Sequence, residues 1–106
     1  MITFDDFKKM DIRIAEIKNV EEISGADNLW KLTIDIGDEK RQLVAGLRNK
    51  YSKEELLGRH IVVLANLEPK KFKGVESQGM LLAAEDGDLV SLLVPDRKVK
   101  SGSKIH

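Results

Sequence analysis

From Trp30 to Ile36 every second residue is a large hydrophobe: Trp30, Leu32, Ile34 and Ile36 alternate with Lys31, Thr33 and Asp35. A two-residue period sends successive side chains to opposite faces of a strand, so this stretch demands a sheet with one buried and one solvated face. Further strands are available to complete that sheet. Residues 11–23 read as one long strand. Ile12 and Ile14 share a face but Ile17 lies three positions on, so a phase change is expected near Ala15 and Glu16, where a bulge would bend the strand. Ser24-Gly25 breaks it, and Gly37-Asp38 makes the next turn. Residues 40–47 place Arg41, Leu43, Ala45 and Leu47 on one face. Residues 59–67, 75–84 and 89–94 supply three more strands, the last two separated by a turn over 85–88.

Two short helices punctuate this pattern. Thr3 is an N-cap for a helix reaching residue 10, with Asp5 and Asp6 in its first turn and Lys8 and Lys9 near its end. Phe4 and Phe7, three apart, share a face that either the core or a second subunit must cover. Ser52 and Glu55 form a capping box for a helix over 52–57, which Gly58 can end. A helix between the third and fourth strands is the order of an OB-fold. The predicted class is therefore all-β, a five-stranded OB-fold barrel with short helices, as one domain over residues 1–106. The basic segment 95–106 either folds back or serves a partner.

Composition narrows the chemistry. There are no cysteines and two histidines, His60 and His106, which excludes disulfides and thiolate sites and argues against zinc. No apolar run nears the ~18 residues of a membrane span. Walker and dinucleotide loops are missing, as is the Gly-x-Ser-x-Gly elbow that would make Ser77 a nucleophile. No catalytic constellation or cofactor site is expected. Net charge is zero but unevenly spread: residues 1–39 carry five Lys/Arg against ten Asp/Glu, residues 40–73 nine against three. Local positive charge, rather than the total, decides attraction to a polyanion.

That positive third ends in Asn66-Leu-Glu-Pro-Lys-Lys-Phe-Lys-Gly-Val-Glu-Ser-Gln-Gly-Met80. Lys70, Lys71 and Lys73 surround Phe72. Cations beside an aromatic suit a phosphate chain with an unstacked base, while a solvated lysine-rich loop has the same composition. Asn-Leu-x-Pro-x-Lys-x-Lys-Gly followed by Ser-x-Gly-Met resembles the tRNA-binding domain at the C-terminus of methionyl-tRNA synthetases, of free-standing tRNA-binding proteins and of the endothelial-monocyte-activating polypeptide. Asp11-Ile12-Arg13-Ile14, Ala26-Asp27-Asn28-Leu29 and Val44-Ala45-Gly46-Leu47 resemble its other landmarks in order. Ser24-Gly25 stands where the family often has histidine-proline, and Phe72 and Lys73 where it often has methionine and arginine.

The resemblance implies a non-catalytic, cytoplasmic tRNA-binding module that forms a homodimer and serves a methionyl-tRNA synthetase catalytic subunit. It supports Asn66, Lys70, Lys73, Ser77 and Met80 as nucleic-acid-binding residues. Lys31 and Arg41 join them as cations at the strand surface. Met80 opens an apolar run, so it belongs either to the groove or to the core. The alternative is a chaperone-like binder of unfolded polypeptides, since some secretion-related proteins resemble the same domain.

Overall fold

The alternating stretch lies in β2 (Ala26–Asp35), and all four of its hydrophobes, Trp30, Leu32, Ile34 and Ile36, are buried. The computed structural model describes all residues, Met1–His106. β2 is flanked by β1 (Ile12–Ile23) and β3 (Lys40–Ala45), and β1 in turn by β4 (His60–Leu64) and then β7 (Met80–Leu81). Every pairing is antiparallel. Two small hairpins stand outside this five-stranded sheet: β5 (Lys70–Phe72) with β6 (Val75–Ser77), and β8 (Ala83–Asp86) with β9 (Leu89–Leu92).

β1 is long because it serves two partners. Residues 12–16 pair with β4 and residues 16–23 with β2, Glu16 belonging to both ladders. The bulge that permits the change of direction lies at Lys18, between Ile17 and Asn19, not at Ala15 and Glu16 as the sequence pattern suggested. Ala15 and Ile17 face the core, whereas Ile14 is buried on the opposite side, outside the main cluster. The hydrophobe Ile14 therefore misplaced the phase change. The edge of β1 at these residues is paired with the C-terminal segment, which folds back. The Ile14 amide donates to Ser103 O at 2.9 Å, and Gly102 and Ile105 amides donate to Ile14 O and Ile12 O at 2.7 and 2.9 Å. Gly37 and Gly102 allow that return: a Cβ on Gly102 would lie 2.7 Å from Ile36 O, and one on Gly37 2.8 Å from the Gly102 Cα.

The helices are α1 (Phe4–Lys8) and α2 (Lys53–Leu56), with Thr3 and Ser52 as N-caps. Both close capping boxes, the first through Asp6 and the second, as expected, through Glu55. The cap hydrogen bonds hold both carboxyls below the usual range. Leu56 seals the core, while Phe4 is exposed and Phe7 half-buried, so the α1 aromatics are not core residues. Tyr51 fastens the second hairpin: its hydroxyl donates to Val90 O and accepts from the Leu92 amide, both at 3.2 Å, while Trp30 Nε1 donates to Tyr51 O at 2.9 Å.

The strand expected over 75–84 is in fact three, β6, β7 and β8. Gly79, at φ +138°, interrupts the extended run, and the small side chains of Ala83 and Ala84 are exposed rather than packed. The segment expected to be a loop before it contains β5. The sheet is all-β with few short helices, and no backbone ladder joins its edge strands β3 and β7 into a closed barrel.

Candidate nucleic-acid interface

The interface is built where those two sheet edges meet. An edge strand exposes unpaired amides, and a buried unpaired amide costs about 1–3 kcal/mol. On β3 those amides belong to Gln42 and Val44. The Val44 amide donates to Ser77 Oγ at 3.0 Å, and the Gln42 amide to Gln78 Oε1 at 3.1 Å. In return the Gln78 amide donates to Gln42 O at 2.9 Å, and Gln42 Nε2 to Glu76 O at 2.8 Å. Ser77, the one buried polar residue, also donates from Oγ to Gly79 O at 3.0 Å. A Cβ at Gly79 would come within 2.9 Å of Leu64 O. Ser77, Gln78 and Gly79 are thus a side-chain stitch across the gap.

The stitch fixes the base of the β5–β6 hairpin. Phe72 pairs with Val75, leaving Lys73 and Gly74 as a two-residue turn with φ of 51° and 81°. Positive φ at both turn residues is the type I′ pattern, whose twist matches the flanking strands. Alternation then sorts the lysines. Lys70 and Phe72 face a groove of about 630 Å³, Lys73 sits at the hairpin tip, and Lys71 points to the other side, opposite Glu76. Lys70 Nζ lies 5.2 Å from the Phe72 ring centroid, within cation–π range. None of these lysines forms an ion pair.

The floor of the groove is apolar. Val44, Leu67 and Pro69 line it with Met80, whose exposure of 46% places it in the groove wall rather than the core. Arg41 borders it from β3, in a smaller depression that shares Leu67 and Pro69. Its guanidinium donates to Ala65 O and pairs with Glu39 at 3.0 Å. Lys31 stands beside Val44 in the β2–β3 register and pairs with Glu21 at 3.7 Å. Asn66 spends its amide on the chain: Oδ1 accepts from the Asp11 amide at 2.8 Å and Nδ2 donates to Lys9 O at 2.6 Å. Of the residues singled out from sequence, Lys70, Ser77 and Met80 therefore converge on one groove with Lys73 at its rim. Arg41 and Lys31 lie along its approach, and Asn66 braces the chain entering it.

Nearby, hydrogen bonds from Arg13 hold the Asp11 carboxyl below its usual range, against the opposing effect of burial, with Lys104 and Arg41 adding attraction. The same pair raises the Arg13 guanidinium and neutralises its charge at 2.9 Å.

Val44, Leu67 and Pro69 were absent from the residues chosen by sequence, and Phe72, noted there as the aromatic among the lysines, was not counted among the binding residues. Val44 carried a usable signal, since it is an apolar residue on the solvated phase between Leu43 and Ala45. Leu67 and Pro69 stand in the Asn-Leu-x-Pro motif itself, but only the fold shows that they line the groove.

The description "Putative tRNA binding domain" matches residues 12–104. The chain is 56% identical over 105 residues to the methionine–tRNA ligase of Thermococcus kodakarensis, covering 99% of the chain but 14% of that ligase. It is 51% identical over 104 residues to the ligase of Thermotoga maritima, covering 98% of the chain and 16% of the ligase. The chain thus spans only a small part of the ligases it matches. Among solved structures it superposes on the MetRS related protein from Pyrococcus horikoshii with a TM-score of 0.93 and 37% identity, covering 100% of this chain and 98% of that one. It also superposes on the CsaA chaperone protein of Picrophilus torridus with a TM-score of 0.92 and 38% identity, over the whole of both chains.

The stitch and the groove respond differently to truncation. Ser77→Ala should lower stability by about 1–3 kcal/mol, by leaving the Val44 amide without its acceptor. Met80→Ala, at an exposed position, should change it by less than about 0.5 kcal/mol. Thermal melts of the two variants check this; equal losses would contradict the division between them.

Proposed function

We infer that this chain, which belongs to the tRNA-binding-domain family, binds tRNA in the groove under the β5–β6 hairpin and catalyses nothing itself. The observation that carries the reading is the pairing of unneutralised lysines with an aromatic on a stiff hairpin above an apolar floor. Lys70 and Lys73 attract phosphates and Phe72 and Met80 offer surfaces to an unstacked base, while Arg41 and Lys31 border the groove and reach a phosphate only by exchanging Glu39 and Glu21 for it. Asn66 and Ser77 act by holding the groove in shape. Contacts of this kind read the shape and backbone of an RNA more than its sequence.

In this reading residues 1–106 are one OB-fold domain, its barrel completed by side chains between β3 and the Ser77–Gly79 stitch. The domain works as a C-terminal domain or separate subunit of a cytoplasmic methionyl-tRNA synthetase, raising the effective concentration of tRNA at the catalytic body. No helix is long and apolar enough to cross a membrane. A chaperone-like role in binding unfolded polypeptides is the second reading, favoured by the apolar groove floor and by the likeness to CsaA.

The domain forms a symmetric homodimer through the exposed aromatic face of α1 and the chain's end, where Phe4, Phe7 and Met10 meet Ile105 around a depression of about 470 Å³. Sedimentation should then give about twice the chain mass of 11.9 kDa. A single species of one chain mass at high micromolar concentration would contradict it.

The groove is tested by salt dependence. Each phosphate contact adds about 0.7–0.9 to the slope of log affinity against log salt. Lys70→Ala with Lys73→Ala should reduce the slope for total tRNA by about 1.5, while Lys71→Ala, on the other face of β5, should leave it near wild type. An unchanged slope in the double variant removes the groove as the site. Binding of an unfolded polypeptide without any binding of tRNA would install the second reading instead.

A further inference from the structure

The chain has five arginines, and their ion pairs divide them sharply. Arg13, Arg41 and Arg48 are each neutralised by carboxylates, at 2.9, 3.0 and 3.2 Å. Arg59 has no ion pair, and Arg97 only a 3.8 Å contact with its neighbour Asp96, both groups being more than nine-tenths exposed. These two guanidiniums line the same cleft, a depression of about 320 Å³ that also holds His60, Lys98, Pro95 and Asp96. Lys98 is likewise unpaired. The two arginines that no close ion pair neutralises thus line one cleft, where three cations, Arg59, Arg97 and Lys98, stand against the single carboxylate of Asp96, a local excess that favours an anion.

The cleft is also held in shape. Arg59 leads into β4, and its guanidinium stacks 5.8 Å from the centroid of the Tyr51 ring, which anchors β9. Pro95 fixes the backbone before Asp96. Glu55 senses the Arg59 charge but spends its carboxylate on the Ser52 cap. The remaining acid close by, Glu16 opposite His60, is paired with Lys18 at 3.3 Å.

We propose that this cleft is a second phosphate-binding site, in which Arg59, Arg97 and Lys98 grip the backbone of the same RNA that occupies the hairpin groove. It rests on the tRNA reading above. The cleft lies at the start of β4 and the groove beyond its end. A five-residue strand at about 3.3 Å per residue sets them on the order of 17 Å apart, within the span of one folded RNA. Planar guanidiniums suit a phosphodiester by bidentate bonding. The groove, with an aromatic and lysines, suits bases and phosphates together. The cleft holds no Phe, Tyr or Trp among its lining residues and is built chiefly for phosphates.

The test compares four full-length proteins over a range of salt with total tRNA: wild type, the Lys70→Ala/Lys73→Ala variant, Arg59→Gln/Arg97→Gln/Lys98→Gln, and the charge-retaining Arg59→Lys/Arg97→Lys. The glutamine variant should lose about 2 from the salt slope while remaining folded by circular dichroism, and the lysine variant should keep most of that slope. A glutamine variant with the wild-type slope, while the hairpin variant loses its share, overturns the second site alone. A lysine variant as weak as the glutamine variant, with the fold disturbed, assigns the cleft to structure and also overturns it. Wild type that binds no tRNA removes the hairpin reading and the second site together.

Discussion

Edge strands of a sheet carry amides that must find acceptors, and in this chain the acceptors on one side are side chains. β3 presents the Gln42 and Val44 amides outward, and Ser77 and Gln78 accept from them. Because these side chains project from the last residue of β6 and the one after it, satisfying the edge also fixes the base of the β5–β6 hairpin. Gly79 lets the backbone pass Leu64 O without collision, and Met80 is delivered into the groove beside it. The hydrogen bonds that hold the two ends of the sheet together are therefore the ones that aim Lys70 and Phe72.

Charge follows the same economy. The formal net charge is zero, yet the cations are not equivalent. Arg13, Arg41 and Arg48 are consumed in holding strands and turns together, the two-point Arg13–Asp11 pair being the clearest case. The lysines of the hairpin and the guanidiniums of the cleft at residues 59 and 97 are left over. A protein can thus be neutral in total and still present a positive track, since a bound polyanion responds to local, unpaired charge.

Much of this was readable beforehand. The strand alternation of β2, the Ser52–Glu55 capping box and the N-cap at Thr3 follow local rules and stand where those rules put them. The charge-rich stretch ending at Met80 was legible as the focus of function because composition and motif coincide there. What failed has a common cause in long-range contacts. The phase change looked as if it fell at Ala15 and Glu16, but Ile14 is buried apart from the main cluster and the register shift comes at Lys18. Residues 75–84 looked like one strand, but the approach of Gly79 to Leu64 breaks it. The roles of Asn66 and Ser77 as braces were invisible because their partners, Asp11 and Val44, lie 55 and 33 residues away. The choice of Lys70 over Lys71 had no geometric ground until pairing with β6 assigned each to a face.

The most direct test of the groove is to watch it while RNA binds. With isotopically labelled protein and increasing tRNA, the backbone amides of Lys70, Phe72, Gly79 and Met80 should shift or broaden first, together with the Met80 methyl. The amides of α1, at the far end of the Asn66 brace, should follow only weakly. Perturbations that spare residues 70–80 and gather elsewhere on the surface would contradict the account.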